Sequence, residues 1–276
     1  MLHAVEIFTP SGTLVDSYPA AGKANLTPKK ILTQSLNSSL PKLFHLGTVQ
    51  HKPSALSCVG LTLPVGAAGG LRAVVSLIWR VEAEFTAALE IWRPDASGAL
   101  RLGDAYYGAH TPFRETSAKT FEQLSRGMSF SVLEGLPGVT FDAHEPVIFE
   151  TLSHTRGFVR SEAAAAAGLS AGLGIPVLER KTASCAVLLL SSEVAPLART
   201  FEVWRVVGRG IELGSSCQLN PAAGSATEHT AGPCAGVATQ VVNTKLPQIS
   251  RCGERVRVGV PVFRGREVGS VVVLEG

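Results

Sequence analysis

The stretch Ser153–Val177, SHTRGFVRSEAAAAAGLSAGLGIPV, holds five consecutive alanines and four glycines, and closes on an apolar run into Pro-Val. It carries few groups that do chemistry, so its meaning is architectural first. Ser161 is predicted to cap a helix, with Glu162 in the first turn where the helix dipole favours an acid. Alanine has the highest helix propensity, and its small side chain lets a helix lie close to a sheet. Gly168 is placed to end that helix. The glycines that follow let the backbone pass tightly into the strand LGIPV.

That strand has relatives elsewhere in the chain. LTLPV at Leu61–Val65, LGIPV at Leu173–Val177 and VGVPV at Val258–Val262 share one pattern, apolar-x-apolar-Pro-Val. Proline lacks an amide hydrogen, which predicts a strand end or an edge at each. Each copy runs into a turn and a second β-branched stretch, which reads as a β-hairpin. A second pattern lies upstream of each: VEIF at Val5–Phe8, LEIW at Leu89–Trp92 and FEVW at Phe201–Trp204. Glu6 lies 58 positions before Pro64 and Glu202 lies 59 before Pro261, whereas Glu90 lies 86 before Pro176. The middle copy is therefore longer by about a helix and a strand. HKP (His51–Pro53), HEP (His144–Pro146) and KLP (Lys245–Pro247) supply a third anchor in the same order. The reading is three repeats, 1–82, 83–194 and 195–276.

Composition bounds the class. The 276 residues are 45% hydrophobic and only 17% charged, and mean hydropathy is +0.23. That charged share is low for a soluble chain, and it predicts apolar area hidden in contacts between domains or subunits. Net charge is +3, with the 25 basic residues scattered, so no stripe for nucleic acid is expected. No export signal is visible at the start, and runs such as Cys185–Leu190 are too short to span a bilayer. The expectation is a cytoplasmic protein whose five cysteines are free thiols, with no nucleic-acid or membrane partner.

The middle repeat resembles a GAF domain. LPGVTFDAHEPVIFETL is similar to that family's turn-helix-strand block. RGFVRSEAAAAAGLSAGLGIPV is similar to the helix and central strand that follow. EIWRPDASGALRLGDAYYGAH fits the first two strands, with PDASG as the turn. The outer repeats resemble abbreviated GAF domains that keep the first and last hairpins. The resemblance implies an α+β fold of three repeats, each an antiparallel sheet with few helices on a face. In GAF domains the alanine-rich helix borders a small-molecule pocket.

Candidate site residues follow from that placement. Arg156 and Arg160 flank the helix start. Either meets an anionic ligand or forms a structural ion pair with Asp142 or Glu145. Tyr106, Tyr107, His110, Phe141, His144 and Phe149 border the same region. Phe141 and Phe149 are the more natural core residues, Tyr107 and His110 are open to either role, and His144 is read as a turn residue. The proposed ligand-binding set is Tyr107, His110, Phe141, Phe149, Arg156 and Arg160. No catalytic residue, metal ligand or cofactor is assigned.

Sequence motifs for phosphate loops, zinc sites, hydrolase elbows and the cyclic-nucleotide set of some GAF domains are missing. No output domain is recognised in the sequence. The leading expectation is a non-enzymatic regulatory or sensory GAF-repeat protein in signal transduction. It would bind a small molecule in the middle repeat, or a protein partner or second copy of itself. A pocketless assembly protein is the alternative, its middle core filled by Phe141, Phe149 and Leu173. The third reading is a thiol enzyme resembling the GAF-fold methionine sulfoxide reductases. It requires at least two of Cys217, Cys234 and Cys252 within disulfide reach.

Overall fold

The computed structural model describes residues 2–19, 42–51, 54–67, 70–80, 86–108, 112–179, 182–219, 235–253 and 255–276. Among them the strands form three antiparallel sheets, built in chain order from residues 2–80, 87–191 and 200–275. The first sheet contains β1 (Leu2–Phe8), β2 (Leu14–Pro19), β3 (Lys42–His51), β4 (Ser54–Ala67) and β5 (Gly70–Arg80) in the order β2-β1-β5-β4-β3. The middle sheet contains β6 (Ala87–Pro94), β7 (Leu100–Gly108), β8 (Ser129–Phe130), β9 (Val147–Phe149), β10 (Ala171–Glu179) and β11 (Thr182–Ser191). The third contains β12 (Thr200–Val207), β13 (Gly210–Gln218), β14 (Gln248–Cys252), β15 (Arg255–Arg264) and β16 (Glu267–Glu275). Its order, β13-β12-β16-β15-β14, is that of the first sheet. The middle sheet differs by one added edge strand, giving β8-β7-β6-β11-β10-β9.

Four helices lie among the described residues: α1 (Pro112–Gly127), α2 (Gly135–Ala143), α3 (Ser161–Ala167) and α4 (Ala235–Thr244). The first three belong to the middle unit and α4 to the third. Gly168 ends α3 in the left-handed region, φ 78°, and its amide bonds back to the helix, as its sequence position predicts. Ser161 is not the cap. It is the first helical residue, and Arg160 occupies the N-cap position with no side-chain hydrogen bond to the helix.

Alternation along the strands separates two faces. Val5, Leu61, Leu63, Val75 and Leu77 of the first sheet, Leu89, Leu173, Ile175 and Leu189 of the middle sheet, and Phe201, Val258, Val260 and Val272 of the third share one continuous core. The sheets thus turn one face inward on each other. β4, β10 and β15 meet at the centre. The remaining contacts run head to tail: β3 packs on β6 and β7, β9 on β12 and β13, and β14 on β2, which closes a ring. Arg251 fastens the last joint, donating to the Ser17 carbonyl at 2.8 Å and lying 5.4 Å from the centre of the Tyr18 ring.

The repeated prolines sit at this centre, not at strand ends. Pro64, Pro176 and Pro261 pair on one side with Val74, Ala186 and Val271. On the other side, pairing with β3, β9 and β14 stops two residues earlier, at Thr62, Gly174 and Gly259. A residue without an amide hydrogen is tolerated because, among the described residues, no strand pairs with it on that side. The three prolines line a small cavity of about 30 Å³ on the central axis, with Val177, Val262 and Phe263 among its walls.

The HEP and KLP anchors are equivalent. His144 (φ 53°) and Lys245 (φ 56°) each follow a helix in the left-handed conformation, and the proline then opens β9 or β14. HKP is not their counterpart. His51 is the last residue of β3, so this anchor falls after that strand instead of before it.

Candidate functional site

The outer face of the middle sheet is covered by α1, α2 and α3. One glycine, Gly174, and one threonine, Thr140, set how closely. A Cβ on Gly174 would lie 1.9 Å from the Thr140 Oγ1 of α2, so the helix rests directly on the strand backbone. Under this cover sits Glu90 of LEIW, fully buried between Ala88 and Trp92 on the same face of β6.

A buried carboxylate is costly unless it is paired and hydrogen-bonded. Glu90 is both. Arg160 grips it bidentately, Nη1 to Oε1 at 2.6 Å and Nη2 to Oε2 at 2.9 Å. Trp92 Nε1 donates to Oε2 at 2.8 Å and the Tyr107 hydroxyl donates to Oε1 at 2.9 Å. Burial alone pushes the Glu90 carboxyl upward. The Arg160 charge and the bonds from Arg160, Trp92 and Tyr107 outweigh it and hold the group below its ordinary value. The Tyr107 hydroxyl is held protonated, by burial and then by the adjacent carboxylate.

The guanidinium itself is enclosed. The residue is 1% exposed, and Nη1 also donates to Ser125 Oγ at 2.6 Å. Four rings surround its central carbon: Phe121 at 4.7 Å, Trp92 at 5.3 Å, Phe158 at 5.5 Å and Phe130 at 5.6 Å. Cations are attracted to aromatic faces at this range. The segment that delivers Arg160 is the long connection from β9 to β10, which also forms α3. The matching connections are only residues 52–53 in the first unit and residues 253–254 in the third.

The sequence-selected residues distribute as follows. Tyr107 and Arg160 come together on Glu90, which is the ion-pair partner in place of Asp142 or Glu145. Phe149 meets Phe158 edge-on, with centroids 6.3 Å apart, one ring removed from the guanidinium. Phe141 is half-buried against the same core, and Arg156 is exposed on the loop. Leu173 faces the common central core, so it does not fill the middle unit's outer side with Phe141 and Phe149. His110 and Cys234, and the side chain of Cys252, lie outside the described residues. Cys217 is buried, and burial, with Glu150 and Glu193 adding to it, pushes its thiol up to about 11. Among the described residues no three His, Cys, Asp or Glu side chains converge to hold a metal ion.

Glu90, Trp92, Ser125, Phe121, Phe130 and Phe158 escaped the sequence reading. The clue was in the repeated pattern itself. An acid on the outer-face step of an apolar strand, two residues before an aromatic, occurs in all three copies. Glu202 repeats the arrangement in part, accepting a hydrogen bond from Trp204 Nε1 at 2.8 Å. In the first copy the aromatic is Phe8, which has no donor. Glu6 is 8% exposed and its Oε2 has no hydrogen-bond partner. Burial raises its carboxyl to about 7.

No family model and no curated protein matches the chain. Solved structures similar to part of it include the NreA protein of Staphylococcus aureus, mutated in its nitrate-binding site. That match has 12% identity and a TM-score of 0.30, and covers 42% of this chain and 81% of that one. The GAF domain region of a protein from Geobacter sulfurreducens is similar at 14% identity and a TM-score of 0.29, covering 40% of this chain and 64% of that one. No helix among the described residues is long and apolar enough to cross a membrane.

Proposed function

We propose that this chain is a non-enzymatic interaction module, a three-unit body that acts by contact with another chain. The observation that carries this reading is Arg160. Its guanidinium fills the aromatic box of the middle unit and meets the buried carboxylate there, so the unit is occupied by its own side chain. The pocketless alternative is thereby favoured over a small-molecule sensor at this position. The protonated, buried Cys217 thiol is the wrong state for a nucleophile, which supports a non-enzymatic role. Apolar side chains exposed on the middle unit, Leu124, Val132, Leu133 and Val159, suit a protein that works through its surface.

Native mass spectrometry tests the reading. The expected spectrum shows whole multiples of the bare chain mass for the middle-unit site. A small molecule retained in the native spectrum, lost on denaturation and released by an Arg160→Met variant that still folds would place a ligand in the middle unit and overturn the proposal.

A further inference from the structure

The same buried carboxylate appears in all three units, yet the row of side chains beside it differs. Register places Glu90 beside Leu188 and then Gly174 in the middle sheet, and Glu202 beside Val273 and then Gly259 in the third. In both, the glycine is where a helix rests: Cβ atoms there would meet Thr140 of α2, or Val237 and Val241 of α4. In the first sheet the row reads Glu6, Ser76, Thr62. Hydroxyls replace the aliphatic residue and the glycine. All three side chains are buried, at 8%, 7% and 6% exposure, and Ser76 Oγ and Thr62 Oγ1 are 3.4 Å apart.

The middle unit shows what a buried carboxylate at this strand position accepts. There a guanidinium meets the carboxylate, a serine hydroxyl and the ring two residues along the strand. The first unit keeps the carboxylate in Glu6 and a ring in Phe8, buried on the same face, and it offers hydroxyls from the sheet itself, Ser76 and Thr62, where the middle unit uses Ser125 of α1. What it lacks is the long connection that brings the arginine, since only residues 52–53 join β3 to β4. A carboxylate that is more than nine-tenths buried, with its Oε2 unpartnered, is expensive to retain without a counter-ion.

We infer that the Glu6–Ser76–Thr62 row on the outer face of the first sheet is a binding site for a guanidinium group supplied from outside the chain. Glu6 is the charged acceptor, Ser76 and Thr62 accept further N–H groups, and the Phe8 ring faces the cation. The group belongs either to a free small molecule or to an arginine of a partner protein. The inference borrows the chemistry of the Arg160–Glu90 contact but not the proposed function of the middle unit, because it concerns a different sheet.

The test is a thermal melt at pH 8 of wild type and Glu6→Gln, each with millimolar methylguanidinium or with methylammonium at equal ionic strength. Gln is nearly isosteric and removes an uncompensated charge, so the variant is expected to fold; far-UV circular dichroism checks this. Wild type should gain roughly 5 °C with saturating methylguanidinium, less with methylammonium, and Glu6→Gln should gain nothing. A parallel arm uses the tripeptide Gly-Arg-Gly. Stabilisation by the peptide as well identifies a partner's arginine as the source, and stabilisation by methylguanidinium alone identifies a small ligand. Equal responses of wild type and Glu6→Gln, or no response in either, would overturn the assignment. Isothermal titration of the folded Ser76→Val variant gives a second reading, with affinity for methylguanidinium expected to fall about tenfold for one lost charge-assisted hydrogen bond.

Discussion

Three glutamates at matched strand positions meet three different fates. Glu90 is held charged by Arg160, Trp92 and Tyr107. Removing one partner of a buried pair leaves a bare charge, so Arg160→Met should cost about 3–5 kcal/mol in urea unfolding. Adding Glu90→Leu to it should restore much of that loss, because an apolar pair of similar volume needs no compensation. Recovery will be incomplete, since Trp92 and Tyr107 lose their acceptor. A double-mutant cycle on the four chains measures the coupling. Glu6 behaves in the opposite sense. Its carboxyl is raised to about 7 from an ordinary value of 4.5, so its favourable contribution is full below that ordinary value and lost as pH rises through about 7. The Tm advantage of Glu6→Gln over wild type should therefore grow between pH 5 and pH 8. An advantage independent of pH would show that Glu6 does not ionise in that range.

At the scale of elements, close approach decides what each helix can do. The Thr140 Oγ1 faces Gly174 at a distance no Cβ tolerates, 1.9 Å, with its Cβ and Cγ2 behind it at 3.0 and 3.1 Å. Gly174→Ala should cost about 1–3 kcal/mol by overpacking, and Thr140→Ala should relieve part of it when combined. Gly259→Ala meets only valine methyls, both at 2.7 Å, which can shift, so its cost should be smaller. Denaturant midpoints of the single and double variants check the order. Much at this scale was legible in the sequence. Gly168 ends α3, the alanine run forms a helix, and the Val5, Leu89 and Phe201 stretches are strands, because short-range propensity governs each. The prolines were legible only in part: each stands where its strand has lost one neighbour, as an edge position requires, but that this occurs inside β4, β10 and β15 depends on where another strand stops. The site was legible in fragments. Tyr107 and Arg160 were selected, but Glu90 was not, because its pairing with Arg160 spans a long connection whose fold no local pattern specifies.

For the whole molecule, the shared core predicts that no unit is independent. The inward face of the middle sheet presents Leu173, Ile175, Val177, Val187 and Leu189, all buried only because the other two sheets cover them. A fragment of residues 83–194 alone should associate or remain partly unfolded. Size-exclusion chromatography and near-UV circular dichroism of that fragment decide the matter; a well-folded monomer would contradict the common core. The arrangement of sheets into a ring was not legible, since composition hints at hidden apolar area but does not say which face hides it. The ring also has a topological consequence. Gly276 lies against Leu2, close enough that a Cβ there would approach the Leu2 Cβ at 2.9 Å, and its amide bonds to the Val256 carbonyl at 2.8 Å. The order in which ribosomal synthesis delivers the three sheets is therefore not encoded in the packing. A circular permutant that joins these two residues through a short linker, and opens the chain between β5 and β6, keeps every strand pair and every joint between sheets.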